Sequence, residues 1–192
     1  GFSNQGSGSG SNTTSIMNPA LHVDSFLIAS NIADKRFTNQ SYNINYRTLL
    51  DSSGMELSFD IDYSRFEKRT TDQLRNNYYF GSGPILKPAR IYRGLAPSLI
   101  NIKAAKIDFI LPTRNGRLET GLKSSLVSTD NNYHFEQLLN NNWISDLEKT
   151  NYFKFDEAIN SGYLSFSQEI KKLSIQAGIR AEHTQSTGNS IT

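Results

Sequence analysis

Residues 42–63, YNINYRTLLDSSGMELSFDIDY, decide the fold. Tyr42, Ile44 and Tyr46 alternate with Asn43, Asn45 and Arg47. After DSSG, the residues Met55, Leu57, Phe59, Ile61 and Tyr63 alternate with Glu56, Ser58, Asp60 and Asp62. A period of two puts apolar side chains on one face of a strand and polar ones on the other. Folding the stretch about DSSG sets Tyr42 opposite Tyr63, Ile44 opposite Ile61 and Tyr46 opposite Phe59. The same fold sets Asn43 and Asn45 opposite Asp62 and Asp60. A slip of one residue would oppose polar groups to aromatics, so the pattern specifies its own register. The stretch is a β-hairpin.

Working outward, the chain has 192 residues, enough for a real core. Its net charge of +2 is too small, and its Lys and Arg too dispersed among Asp and Glu, for a nucleic-acid surface. With no cysteine it has no disulfide, no thiolate metal site and no thiol nucleophile. No apolar run approaches the roughly 18 residues of a membrane-spanning helix. The first residues, GFSNQGSGSGSNTT, do not read as a signal peptide. Residues 1–36 read as a flexible Gly/Ser/Asn-rich arm carrying one strand, Val23 to Ser30, and polar loop follows to Gln40.

Beyond the first hairpin, Ala105, Ile107, Phe109 and Leu111 alternate with Lys106 and Asp108. Asn115-Gly116 is a short-hairpin signal. A turn centred there pairs Phe109 with Leu122, but it places Pro112 where a ladder N–H is required. Leu118, Leu122 and Leu126 share the outgoing face. The last hairpin spans Phe153 to about Glu182 and turns in EIKK, residues 169–172. Two stretches, about 70–98 and 129–152, read as long loops, the first holding Pro84, Pro88 and Pro97.

The organisation is all-β, a meander of antiparallel hairpins over 37–192 with short turns at one end and long connections at the other. An outer-membrane barrel shows that asymmetry, with apolar-out and polar-in strands and aromatics near the strand ends. A soluble antiparallel sheet alternates in the same way. Pattern alone leaves both open.

The stretch 163–190, YLSFSQEIKKLSIQAGIRAEHTQSTGNS, resembles the barrel of the TonB-dependent outer-membrane receptors of Bacteroidetes-type bacteria and the related outer-membrane β-barrel family. AAKIDFILPTRNGRLETGLKSS (104–125), MELSFDIDYSRF (55–66) and NNYYF (76–80) resemble earlier hairpins of the same family, in the same order. The resemblance covers about 37–192. It implies an internal segment of a transmembrane β-barrel in the outer membrane, since a plugged barrel needs about 22 strands. It also implies a parent that takes up a bulky nutrient: a siderophore, cobalamin or a glycan. The partners are then lipid and the rest of the parent barrel, with self-association through free sheet edges. The alternative is a soluble β-sandwich that binds carbohydrate or a protein partner at the cell surface.

No enzyme motif stands out, and no cofactor is expected. Asp60 and Asp62 have the spacing of a cation site, but they share the wet face of a strand. His22, His134 and His183 lie on three separate segments without ligand spacing. Asp108 and Glu119 form a carboxylate pair only if the fold brings them together. Ligand binding is expected instead at the aromatics of the long loops, Tyr78, Tyr79 and Phe80 in one and Tyr133 and Trp143 in the other. Aromatic faces flanked by Asn suit stacking on sugar rings. Arg180 and Glu182, on the wet face of the last strand, suit a structural ion pair.

Overall fold

The computed structural model describes residues 1–170 and 173–191. The chain forms eight strands: β1 (Phe2–Met17), β2 (Val23–Leu49), β3 (Glu56–Phe80), β4 (Ile85–Thr113), β5 (Gly116–Leu139), β6 (Asn142–Ser145), β7 (Asn151–Ile170) and β8 (Leu173–Ile191). They make one antiparallel sheet in the order β1-β2-β3-β4-β5-β7-β8, and the short β6 pairs with the far end of β5. Among the described residues the sheet does not close on itself, and no second layer packs on it.

A single layer cannot bury a core. Among the described residues no hydrophobic side chain is buried. Instead one face carries its apolar residues in the open. Tyr46, Phe59, Ile107, Leu122, Gly162 and Ala181 form one continuous cross-strand row on that face. Leu122 is 64% exposed and Ile179, nearby on β8, 76%. The adjacent row on the other face is Asn45, Asp60, Lys106, Lys123, Ser161 and Glu182. On β4, Lys103, Ala105 and Ile107 are exposed, while Ala104, Lys106 and Asp108 are half-buried. One face of a single-layer sheet is sheltered only if the sheet curls toward it, so the polar face is the concave one. A soluble sandwich would bury the apolar face against a second sheet, and this chain does not.

The first hairpin has the register its own side chains dictate, with Tyr42 opposite Tyr63, Ile44 opposite Ile61 and Tyr46 opposite Phe59. The second differs from the reading centred on Asn115-Gly116. Thr113 pairs with Gly116, so the two-residue loop is Arg114-Asn115, and Phe109 faces Thr120 rather than Leu122. Proline is the reason. The pair flanking a two-residue loop is hydrogen-bonded and the next pair is not. The observed loop puts Pro112 opposite Arg117 in that second pair, where no N–H is needed. The last hairpin turns between the paired residues Ile170 and Leu173. Lys171 and Lys172, at the centre of the expected turn, lie outside the described residues.

The long loops are absent as such. Residues 70–98 are the upper end of β3, a turn at 81–84 and the first part of β4. Residues 129–152 are the end of β5, β6 and the start of β7. The prolines fit because the ladder yields around them. The register between β3 and β4 shifts next to Pro88, and the β4–β5 pairing is interrupted between Leu95 and Ser98, around Pro97. The arm also differs from expectation. Residues 2–17 pair with β2 along their whole length, and β2 runs unbroken through the 31–40 segment. Backbone hydrogen bonds need no side chains, so a Gly/Ser sequence can occupy an edge strand although it contributes no packing.

Candidate functional site

The strands are far longer than a bilayer requires. β2 to β5 have 24 to 29 residues each, against about 9–11 for a transmembrane β-strand. Near the short turns the sheltered face is polar. Asn43 donates to Asp62 at 2.7 Å, Arg47 meets Glu56 at 2.6 Å, and Tyr163 donates to Asp108 at 2.6 Å. Further from the turns the same face becomes apolar. Ile102 and Val127 are paired there, and Phe66 faces Ile100. Phe155 and Phe153 continue the patch on β7 and Phe37 on β2. Phe37 lies 5.7 Å from Phe2 and 6.3 Å from Phe66 between ring centroids. All six of Phe37, Phe66, Ile100, Ile102, Phe153 and Phe155 are half-buried.

The exposed face changes in the opposite sense over the same residues. Beyond Tyr63 it carries Arg65, Glu67 and Arg69, with Glu67 paired to Arg69 at 2.7 Å. Beyond Leu126 it carries Ser128 and Asp130. The concave side of the distal sheet thus carries an aromatic and aliphatic patch, while its convex side carries charges interspersed with Ile32, Leu95 and Leu99. This patch, a wall on the concave side, is the candidate site.

The aromatic residues expected to bind ligand lie at the distal end, but on both faces. Tyr78 and Phe80 stand on the sheltered face at the tip of β3, and Tyr79, between them, on the exposed face. Tyr79 stacks on Phe26 at 5.1 Å, and Lys87 lies 4.0 Å from the Tyr78 ring centroid. Tyr133 is on the sheltered face. Its ring lies against Gly94, where an added Cβ would meet the Tyr133 hydroxyl at 2.9 Å. Trp143, on β6, is on the exposed face under the Arg93 guanidinium at 4.3 Å, and Arg93 is bridged to Glu136 at 2.6 Å. One ligand on the concave side would reach Tyr78, Phe80 and Tyr133, and not Tyr79 or Trp143.

Tyr92 and Phe135 stack at 5.6 Å beside Tyr133 on the sheltered face. Next to them, the Lys149 ammonium bonds Asp146 at 2.5 Å and holds its carboxyl below the usual carboxylate range; the same contact raises Lys149. Sequence reasoning missed Tyr92, whose segment read as loop, and the phenylalanine wall, whose members, Phe37 apart, lie outside the stretches read as loop but on the face that the alternation marked as polar. A change of phase in the alternation was the available signal.

Other candidates are occupied by local partners. Asp60 and Asp62 accept from Asn45 and Asn43 across the hairpin. Asp108 and Glu119 do come to adjacent rows of the sheltered face, but Lys106 holds the first at 2.5 Å and Arg117 the second at 2.8 Å. Arg180 and Glu182 form an ion pair at 2.7 Å.

Residues 48–192, well over half of the chain, match the model of a family described as outer membrane protein beta-barrel family. No curated protein matches the chain.

Proposed function

The chain belongs to the outer membrane protein beta-barrel family, and on that premise we propose that it is a segment of the wall of a receptor barrel of the TonB-dependent kind, whose whole protein admits a bulky nutrient. Its place is the outer membrane, with the exposed apolar face toward lipid. The role is recognition and passage rather than catalysis.

The observation that carries the reading is the distal sheet. A barrel that only spans the bilayer, or only conducts small ions, has no need of strands of 24 to 29 residues. A wall continued beyond the bilayer, curled and lined on its concave side by Phe66, Ile100 and Phe155, supports a chamber for something large. Tyr78, Tyr92 and Tyr133 add amphipathic aromatic faces nearer its mouth, and Phe80 an apolar one, suited to sugar or heteroaromatic rings.

The test is genetic. The gene would be deleted and growth compared under limiting iron–siderophore, limiting cobalamin and single glycans. Loss of growth in one condition is expected, reproduced by Phe66→Asp with Ile100→Asp in a protein that still assembles. Unchanged growth of the deletion strain in every condition, with a purified barrel that conducts ions freely, would sink the reading.

A further inference from the structure

The structure assigns this chain a membrane boundary that crosses the strands obliquely, close to the line Tyr42–Tyr63–Ala105–Gly162–Ala181, with everything distal to that line outside the bilayer. The partner of the surface on the near side is a lipid bilayer. The inference rests on the outer-membrane family and the exposed face, not on nutrient uptake.

Two independent features of the chain give the line. The first is where the exposed face stops being apolar. On β2 the change falls between Tyr42 and Gln40, and on β3 between Tyr63 and Arg65. On β4 it falls between Ala105 and Lys103, on β7 between Gly162 and Asn160, and on β8 between Ala181 and His183. On β5 it falls near Ser124, whose hydroxyl bonds Asn160 at 2.7 Å; beyond the line Leu126, Leu99, Leu95 and Ile32 stand singly among polar neighbours. These positions are not in one cross-strand row. The row through Tyr63 reaches β8 at Gln185, four residues distal to Ala181.

The second feature is the position of the short turns. They descend across the sheet in the same direction. Glu56, next to the first turn, pairs with Ile110, and β4 runs on from there to Thr113 before it turns. Gly116, next to the second turn, pairs with Gln168, and β7 runs on to Ile170. The two offsets agree, so the apolar stretch keeps one length. Tyr42–Leu50, Met55–Tyr63, Ala105–Thr113, Gly162–Ile170 and Leu173–Ala181 each hold nine residues, which is what a bilayer takes from a β-strand at about 9–11.

An offset of four residues over four inter-strand steps, at about 3.4 Å per residue and 4.8 Å per step, is a tilt of about 35°. Closed transmembrane barrels tilt their strands by about 35–45°. The boundary chemistry agrees. Tyr42 and Tyr63 stack at 6.3 Å on the line, and the Tyr63 hydroxyl reaches beyond it to Asn101 at 3.3 Å. An aromatic body in hydrocarbon with its hydroxyl in the polar layer is the usual interfacial arrangement. A shallow groove of about 660 Å³ on the exposed face straddles the line. Its near end is Ile107, Leu122 and Gly162, and its far end is Asn160 and His183.

One cross-strand row isolates the claim: Ile44–Ile61–Ala105–Ser124–Asn160–His183. A boundary parallel to the rows would treat its two ends alike, whereas the oblique one puts Ile44 and Ile61 in lipid and Asn160 and His183 in water. The segment has no cysteine, so single cysteines can be placed in the full-length protein on a cysteine-free background. Ile44→Cys, Ile61→Cys, Asn160→Cys and His183→Cys would be reconstituted in phosphatidylcholine vesicles and treated with a membrane-impermeant maleimide. A heat-shifted gel band confirms that each is folded. Cysteine at 160 and 183 should react at least about tenfold faster than at 44 and 61, because hydrocarbon excludes the charged reagent. A nitroxide at the same four positions should be quenched by oxygen at 44 and 61, and by a water-soluble nickel chelate at 160 and 183. Equal reactivity at 61 and 183, or quenching by the same agent at both, overturns the oblique boundary.

Discussion

Each long strand is two strands laid end to end. From the short turns to the oblique line, the convex face is apolar and the concave face polar. Beyond it the concave face gains apolar side chains and the convex face gains charged ones, while backbone pairing continues through the change. On β3 the apolar side chains are Leu57, Phe59, Ile61 and Tyr63, and then Phe66 and Leu74. On β4 they are Leu111, Phe109 and Ile107, and then Ile102 and Ile100 on the concave face with Leu99, Leu95 and Ile91 on the convex one. On β3 odd positions give way to even ones, and on β4 even positions join the odd ones. The comparison separates two causes that usually coincide. Hydrogen bonding makes the sheet, and the surroundings decide which side of it is greasy.

The largest effect that would break the comparison is a charge in the near region. Ile107→Arg, at the middle of the lipid face, should cost about 2–4 kcal/mol of folding stability in bilayers. Asn101→Arg, on the same face of the same strand beyond the line, should cost close to nothing. Urea titration of vesicle-inserted protein, followed by the gel shift of the folded barrel, measures both. Equal costs would mean the two regions share one solvent.

A smaller loss, of about 1 kcal/mol, is expected on the concave side from Phe66→Ala, which removes an aromatic contact with Phe37. It should be the same in detergent and in bilayers, whereas the Ile107→Arg cost should follow the bilayer. Smaller again is Glu136→Gln. The Arg93–Glu136 bridge is partly exposed, so its loss should cost under about 1 kcal/mol. Trp143, the only tryptophan, lies under Arg93. Its emission should shift as the guanidinium leaves, and no shift would show that the cluster holds without Glu136.

The smallest effect sits in the first short turn. Asp51 accepts from Ser53 and from the Met55 amide, and these bonds hold its carboxyl below the usual value. A depressed carboxyl pKa adds order that is complete above the unfolded value and is lost as pH falls through the folded one. Exchange protection of the Ser53 and Met55 amides should therefore be flat from pH 7 to 5 and fall only below about pH 4. Asp51→Ala should remove the pH dependence while the hairpin keeps its register.

The first hairpin was legible because every pair in it votes for one register and the turn needs no special residue beyond Gly54, at φ 90. The second was legible except for a loop displaced by one residue, and so a pairing displaced by two, which Pro112 settles through its missing N–H. The distal halves were not legible. A period-two pattern that reverses phase averages to no pattern, and Pro88, Pro97 and the glycines then tip the reading toward loop. The ligand aromatics were found as residues but not as a surface, since adjacent members such as Tyr78 and Tyr79 point to opposite sides of a strand. The wall of Phe66, Ile100 and Phe155 needed the register before it could be seen at all.

The reversal of phase also constrains heredity. Beyond the oblique line, a single inserted codon would exchange the wet and greasy sides of all that follows on that strand, unless a bulge absorbed it. A pair of codons would only lengthen the wall. Related genes should therefore vary in the height of this wall by even steps, with odd steps confined to the turns and to the bulge beside Pro88.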